Sequence, residues 1–134
     1  MPATTTMINN ILNYNFGSQA YSPALPATMY FGLSTTLVDA TGLPSATEPA
    51  GYVRKSFTNN TTNWNTSTVA SLSNKVALVF AETTGDLGTI RSIFIATAAS
   101  AGTILWYYTL APAIVVLDNT VLTFAIGTII VTMT

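Results

Sequence analysis

The spacing of apolar residues changes once along the chain, shortly after residue 17. Before that point, four apolar residues are spaced as one face of a helix: Met7, Ile8, Ile11 and Leu12. This spacing predicts a short amphipathic helix at about 6–16. Thr5 or Thr6 is a suitable N-cap, and Gly17 is a suitable stop.

From residue 28 onward, short runs rich in Thr, Val, Ile, Phe and Tyr alternate with clusters of Gly, Pro, Asn, Asp and Ser. This pattern is typical of an all-β sandwich or barrel. We expect one domain over 1–134, a jelly-roll-like antiparallel β-sandwich of about eight strands that follows the short N-terminal helix. The predicted strands are 28–34, 52–57, 75–80, 89–96, 103–110, 113–116, 120–125 and 128–133.

The central strand 89–96 is apolar on both of its faces around Phe94. A strand of this kind is covered on both sides. We expect the second sheet to cover one side, and the N-terminal helix or a neighbouring subunit to cover the other.

Two stretches are too polar and too rich in turn residues to form regular elements, namely 37–51 and 58–74. Loops of this length usually have a function or meet a partner, so both are candidate contact surfaces. Trp64 lies in the middle of the second stretch. Its ring either folds back to cap one end of the sandwich or anchors a subunit boundary.

The densest aromatic cluster is the run Trp106, Tyr107 and Tyr108. Alternate residues of a strand face opposite sides, so Trp106 and Tyr108 share one face and Tyr107 lies on the other. At least one of these faces belongs to the core. The exposed remainder is either a subunit interface or a platform for a sugar ring, and together with Trp64 these are the candidate interface residues.

The composition argues against most enzyme chemistry. Only 7% of the residues are charged, against about 25% in an ordinary soluble domain, and the chain has neither His nor Cys. Disulfides, thiolate metal sites and histidine bases are therefore absent, and we expect neither catalytic, cofactor nor metal sites. Glu82 and Asp86 are the only two carboxylates close together, and we expect them to be solvated residues of one turn.

The same charge content argues against nucleic acid and membrane partners. The net charge is −1, and Arg54 and Lys55 are the only adjacent basic residues, which we expect to be exposed on a strand. The most apolar stretch, 104–117, is too short for a membrane span and contains Pro112. The start of the chain lacks the pattern of a secretory signal, so we expect assembly in a cytoplasm. The chain has 24 threonines, and together with Ser and Asn we expect them to hydrate the surface without charge.

Several segments in order resemble the small virion proteins of tailed bacteriophages. After the helix come ATMYFGLSTT at 27–36, GYVR at 51–54, GDLGTI at 85–90, GTILW at 102–106 and DNTVLTFAIGT at 118–128. The chain departs from that family at Leu87, where Trp is common, and at Ala96 and Thr97, where an Asp often follows the central strand. Members are commonly labelled tail fibre proteins, and similar proteins serve as capsid cement or decoration proteins.

The resemblance implies a structural protein of a phage virion, assembled in the cytoplasm of the host bacterium. The expected function is a cement or decoration protein that stabilises the head by bridging subunits of the major capsid protein. The alternative is a tail fibre or baseplate protein that binds host glycans. We expect a homotrimer, with the aromatic hairpin or the C-terminal strands at its interface, because association covers apolar strands that a monomer would expose.

Overall fold

The computed structural model describes residues 1–17, 25–67 and 70–132. The N-terminal α-helix, α1, spans Thr5–Gly17. It begins one residue earlier than predicted, because Thr4 is the cap: its hydroxyl accepts a hydrogen bond from Met7 N at 3.4 Å. The same hydroxyl donates to Ile104 O at 2.8 Å, which ties the start of the helix to a strand. In the described part of the chain, no helix has the length and apolar character needed to span a membrane.

Four strands form the main sheet, and each neighbouring pair is antiparallel. Their bounds are Thr28–Ser34 for β1, Lys55–Thr58 for β2, Gly88–Ala96 for β5 and Ile104–Val116 for β6. The order across the sheet is β2, β1, β5, β6. The Thr, Ile and Phe content of these segments suits a pleated surface that is buried on at least one side.

Two short antiparallel ladders make the second layer. β3 (Ser71–Ser73) pairs with β8 (Ile130–Thr132), and β4 (Leu78–Val79) pairs with β7 (Thr123–Phe124). The pairs β5–β6, β4–β7 and β3–β8 are therefore nested along the sequence, as in a long hairpin folded back on itself. The all-β prediction is confirmed, and the jelly-roll topology stays a prediction.

The main core lies between the sheet and the ladders. One continuous cluster takes apolar side chains from both layers, which excludes water from their facing surfaces. It includes Phe31, Leu33, Phe57, Ile93 and Ile95 from the sheet, and Leu78, Phe80 and Val131 from the second layer.

The opposite side of the sheet is covered by the loop at 37–51, which contains a short 3-10 turn, Leu43–Ser45. Val38 is buried there against Phe94, and its N–H donates to the Ser92 hydroxyl at 3.1 Å. The sequence predicts the N-terminal helix or a neighbouring subunit on this side; the structure has the loop there in place of the helix, and a neighbouring subunit stays a prediction. A loop suffices because hydroxyls in the strands bond its backbone, as Ser34 Oγ does with Thr47 N at 3.0 Å.

Arg54 holds this covering loop in place from a buried position. The residue is 5% exposed, so the expectation of an exposed basic pair with Lys55 is wrong. Its guanidinium forms a bidentate ion pair with Glu48, at 2.9 and 2.6 Å. The remaining nitrogen donates to Ala98 O and Ala101 O at 2.7 and 2.8 Å, and the guanidinium lies 5.1 Å from the centre of the Phe94 ring.

The edge strand β6 is closed at one end by the first residues of the chain. Thr4 N donates to Leu105 O at 2.8 Å, and Tyr107 N donates to Pro2 O at 3.1 Å. Further along, the pairing with β5 shifts register between Ile90 and Ser92. The β6 residues opposite this shift, 110–113, form a bulge that includes Pro112.

The strand predictions hold best in the main sheet. The predicted bounds of β1 match the observed ones, whereas the two predicted strands 103–110 and 113–116 are one strand, β6. β3 lies inside the predicted loop 58–74, and β4 and β7 are shorter than predicted. The end of the predicted strand 128–133 lies outside the described residues.

Gly32 offers a test of the packing on the covered side of the sheet. A Cβ at this position would lie 2.1 Å from Cζ of Phe94. Because that ring is fully buried, we expect Gly32→Ala to lower the free energy of unfolding by about 3 kcal/mol. Chemical denaturation at fixed protein concentration measures the change. Gly85→Ala is the control, since no atom lies within 4 Å of its added Cβ; equal losses in both variants would contradict the packing argument.

The Glu48 carboxyl makes stability depend on pH. Burial by itself raises its pKa, but hydrogen bonds from Arg54 and Tyr52 outweigh this, and the net pKa lies below 4.5. The pair therefore stabilises the fold above about pH 4.5, and this contribution is lost as the pH falls through the folded-state pKa.

We expect Glu48→Gln to cost about 2 kcal/mol near neutral pH, a value reduced for the 30% exposure of the carboxylate. The difference in free energy of unfolding between wild type and variant should become smaller as the pH is lowered from about 6 to about 3. Chemical denaturation at each pH measures this difference. Glu82→Gln makes the same chemical change at an exposed position and should show no such trend. If the difference in free energy of unfolding for Glu48→Gln does not change with pH, the Glu48 carboxylate is not the source of the pH dependence.

Candidate functional site

Trp64 lies in the core rather than on the surface. It is 7% exposed, and its ring packs edge-on against Phe57 at 5.2 Å and near Phe31 at 6.2 Å. The bridge between Trp64 and Asn74 fixes the backbone at this point. The sequence leaves two alternatives for this ring, folding back onto the sandwich or anchoring a subunit boundary. Its burial in the core agrees with the first.

The three aromatic residues of β6 take different positions, as the strand alternation predicts. Trp106 pairs with Ile95 and packs on the main core, whereas Tyr107 pairs with Phe94 and packs on the opposite side of the sheet. Tyr108 is the one that is largely exposed, at 47%. The run is therefore mostly structural, and a flat aromatic platform for sugar stacking is not formed.

Trp64 and Trp106 come together in the wall of one open cavity. This cleft has a volume of about 370 Å³ and lies between the main sheet, the segment 59–65 and the ladder of β3 with β8. Apolar side chains form most of its wall: Met29, Trp64, Leu72, Ile95, Trp106 and Val131. The polar side chains around it are Asn59, Asn60, Thr61 and Asn65. Both indole N–H groups are buried and have no acceptor among the described residues.

The helix exposes a second apolar feature, the helix stripe, made of Ile8, Leu12 and Phe16. These residues are four apart and lie on one side of α1. Leu12 is 50% exposed and Phe16 is 86% exposed. Of the four residues in the predicted apolar face, only Met7 is buried and Ile11 partly packs on the core. The first charged residue of the chain is Asp39, so the stripe has no charge beside it in sequence.

Five exposed apolar residues lie between the last residues of β6 and β8, and we call them the C-terminal apolar set. Its members are at least 48% exposed. Between residue 102 and the end of the chain, Asp118 is the sole charged residue. The set consists of Val115, Leu117, Val121, Ile126 and Ile130.

The carboxylates at 82 and 86 are not assembled into a shared site. Asp86 Oδ1 accepts a hydrogen bond from Asp118 N at 2.8 Å, which links two turns. Glu82 borders a different cavity of about 250 Å³, next to Phe80 and Leu122, and Asp86 is absent from the described lining of that cavity. Within the described ranges, no three acidic, His or Cys side chains lie close enough together to hold a metal ion.

Asn74 is an important residue that the sequence did not indicate. Its side chain is fully buried and makes three hydrogen bonds, one to its own segment and two to the stretch before β8: Nδ2 donates to Val76 O and Ala125 O, and Oδ1 accepts from Ile129 N at 2.9 Å. An Asn inside an Asn- and Thr-rich stretch has no distinguishing signal in a single sequence. Its role depends on partners more than 50 residues away.

A comparison with known proteins identifies the family of the chain. No curated protein matches the chain. A family model described as podophage GP4 fiber I protein gp80 matches residues 2–132. This match confirms the resemblance to phage virion proteins. The chain belongs to the family of podophage GP4 fiber I protein gp80, a family of structural proteins of the phage virion.

Proposed function

We propose that the protein is a fibre-associated structural subunit of the virion that assembles as a homotrimer. The observation that carries the proposal is the C-terminal apolar set, exposed on a chain with few charges. Burying such side chains between copies removes apolar area from water, at about 25 cal/mol for each Å². It does so without desolvating charged groups, which is the main cost at many interfaces.

The location on a fibre is supported by the description of the family, which names a fibre protein. The role of capsid cement, which the sequence favours, remains the second candidate, with the major capsid protein as partner. The proposal assigns no reaction to the chain, and the carboxylates at 82 and 86 have no catalytic part in it.

A charge placed in the C-terminal apolar set should break the trimer. Val121 and Ile126 are 51% and 65% exposed, so Asp at either position leaves the subunit folded but must be desolvated at an interface. We expect wild type to be trimeric at micromolar concentration, and Val121→Asp and Ile126→Asp to be monomeric, by size-exclusion chromatography with light scattering.

Asn13→Asp adds the same charge to an exposed position of α1 and should leave the trimer intact. A stable wild-type monomer would refute the proposed oligomer. Dissociation by Leu12→Asp, with no effect of Val121→Asp, would move the interface to the helix stripe instead.

The location can be mapped on purified particles. Gold-labelled antibody against the protein should decorate fibres and leave the head unlabelled. Separated heads and tails provide the control, since each fraction can be probed alone. Label distributed over the head lattice would replace the fibre assignment with the cement role.

A further inference from the structure

We propose that the cleft between Trp64 and Trp106 binds a neutral sugar unit, of which an N-acetylhexosamine is the best match. The inference builds on the proposed fibre role, because a fibre subunit with a sugar site can hold a polysaccharide surface. The chemistry of the cleft carries it, however, and the cleft can be tested apart from the location of the protein.

The size and lining of the cleft suit a small ligand. Its volume of about 370 Å³ lies within the usual range for ligand sites, about 300–1,000 Å³. Such sites combine a mostly apolar wall with a few polar groups that orient the ligand. Here the wall is formed by side chains such as Leu72, Ile95 and Val131, while carboxamides and a hydroxyl supply the polar groups.

The polar groups are uncharged, and this selects the class of ligand. None of the lining residues carries a charge. The side chains of Asn59 and Thr61 are both exposed, and both line the cleft. Amides and hydroxyls both donate and accept, as sugar hydroxyls do, whereas an ionised ligand would find no opposite charge among the lining residues. The Lys75 ammonium, outside this lining, already donates to Thr61 O at 3.3 Å.

The segment that carries these groups is held in shape before any ligand arrives. Asn59 N donates to Ala27 O at 2.8 Å, and Lys75 N donates to Asn63 O at 2.7 Å. Asn60 Oδ1 accepts from the backbone of Thr62 and of Asn63, both at 3.1 Å. A site that needs little ordering on binding loses less conformational entropy.

An N-acetylated sugar uses both parts of the cleft at once. Its acetamido methyl can pack on the apolar wall beside Leu72 and Val131, while its ring hydroxyls reach Asn59 and Thr61. A sugar that lacks the acetamido group would leave the apolar wall uncovered and would lose that burial. We therefore expect N-acetylhexosamines to bind more tightly than glucose, and an anionic sugar to bind least.

The tryptophans make the test direct, because the chain has only two and both line this cleft. Intrinsic tryptophan fluorescence is measured while the full-length protein is titrated with N-acetylglucosamine, N-acetylgalactosamine, glucose and N-acetylneuraminic acid. We expect a saturable change with the first two sugars, and at least about tenfold weaker binding in Asn59→Ala and Thr61→Ala. Thr62→Ala lies next to these positions but outside the described lining, and should bind as wild type does.

Several results would overturn the sugar site: no saturable change with any neutral sugar, unchanged affinity in both variants, or tightest binding of the anionic sugar. Saturation-transfer NMR on the wild-type protein gives a second readout that needs no variant. The acetamido methyl protons of the sugar should receive the strongest saturation transfer from the protein. Transfer only to other sugar protons would contradict the proposal. If the protein is a trimer and antibody labels the fibres, but no sugar binds, the proposed function stands and only the sugar site is refuted.

Discussion

The burial of one guanidinium determines how the outer side of the main sheet is built. Arg54 cannot leave water unless each of its nitrogens finds an acceptor, and a charge left unpaired there would be costly. Glu48 comes from the covering loop, and the two carbonyl acceptors come from the hairpin that joins β5 to β6. The loop, the hairpin and the ring of Phe94 are thereby fixed relative to one another around a single cation.

The parts of the fold that the sequence predicts are those with strong local patterns. Helix α1 and strand β1 are predictable because their apolar spacing and their turn residues agree. β3 has no such signal, since Ser71 and Ser73 have no strand preference and pair only because β8 lies beside them. The burial of Arg54 has none either, because it depends on partners at 98 and 101, which no local pattern reveals.

The candidate sites show the same division. The aromatic candidates can be identified from residue type alone. The cleft cannot, because its lining residues range from Met29 to Val131, and a single sequence does not show that such distant residues lie together. Low charge, by contrast, is a property of composition and carries directly into the structure. It leaves two kinds of uncharged surface: exposed apolar side chains suited to contact between proteins, and a concave cleft rimmed by amides.

The closure of β6 by residues 2–4 has a consequence for how copies of this chain can add to one another. An open strand edge recruits further strands without limit, which is the geometry of amyloid fibrils. Here one part of the edge is already hydrogen-bonded, and Pro112 in the bulge has no N–H to offer a new strand. Sheet extension at this edge is thereby obstructed, which favours association through side-chain surfaces, where symmetry can close after a fixed number of copies. At the β6 edge, an apolar and nearly uncharged chain is in this way protected from open-ended strand addition.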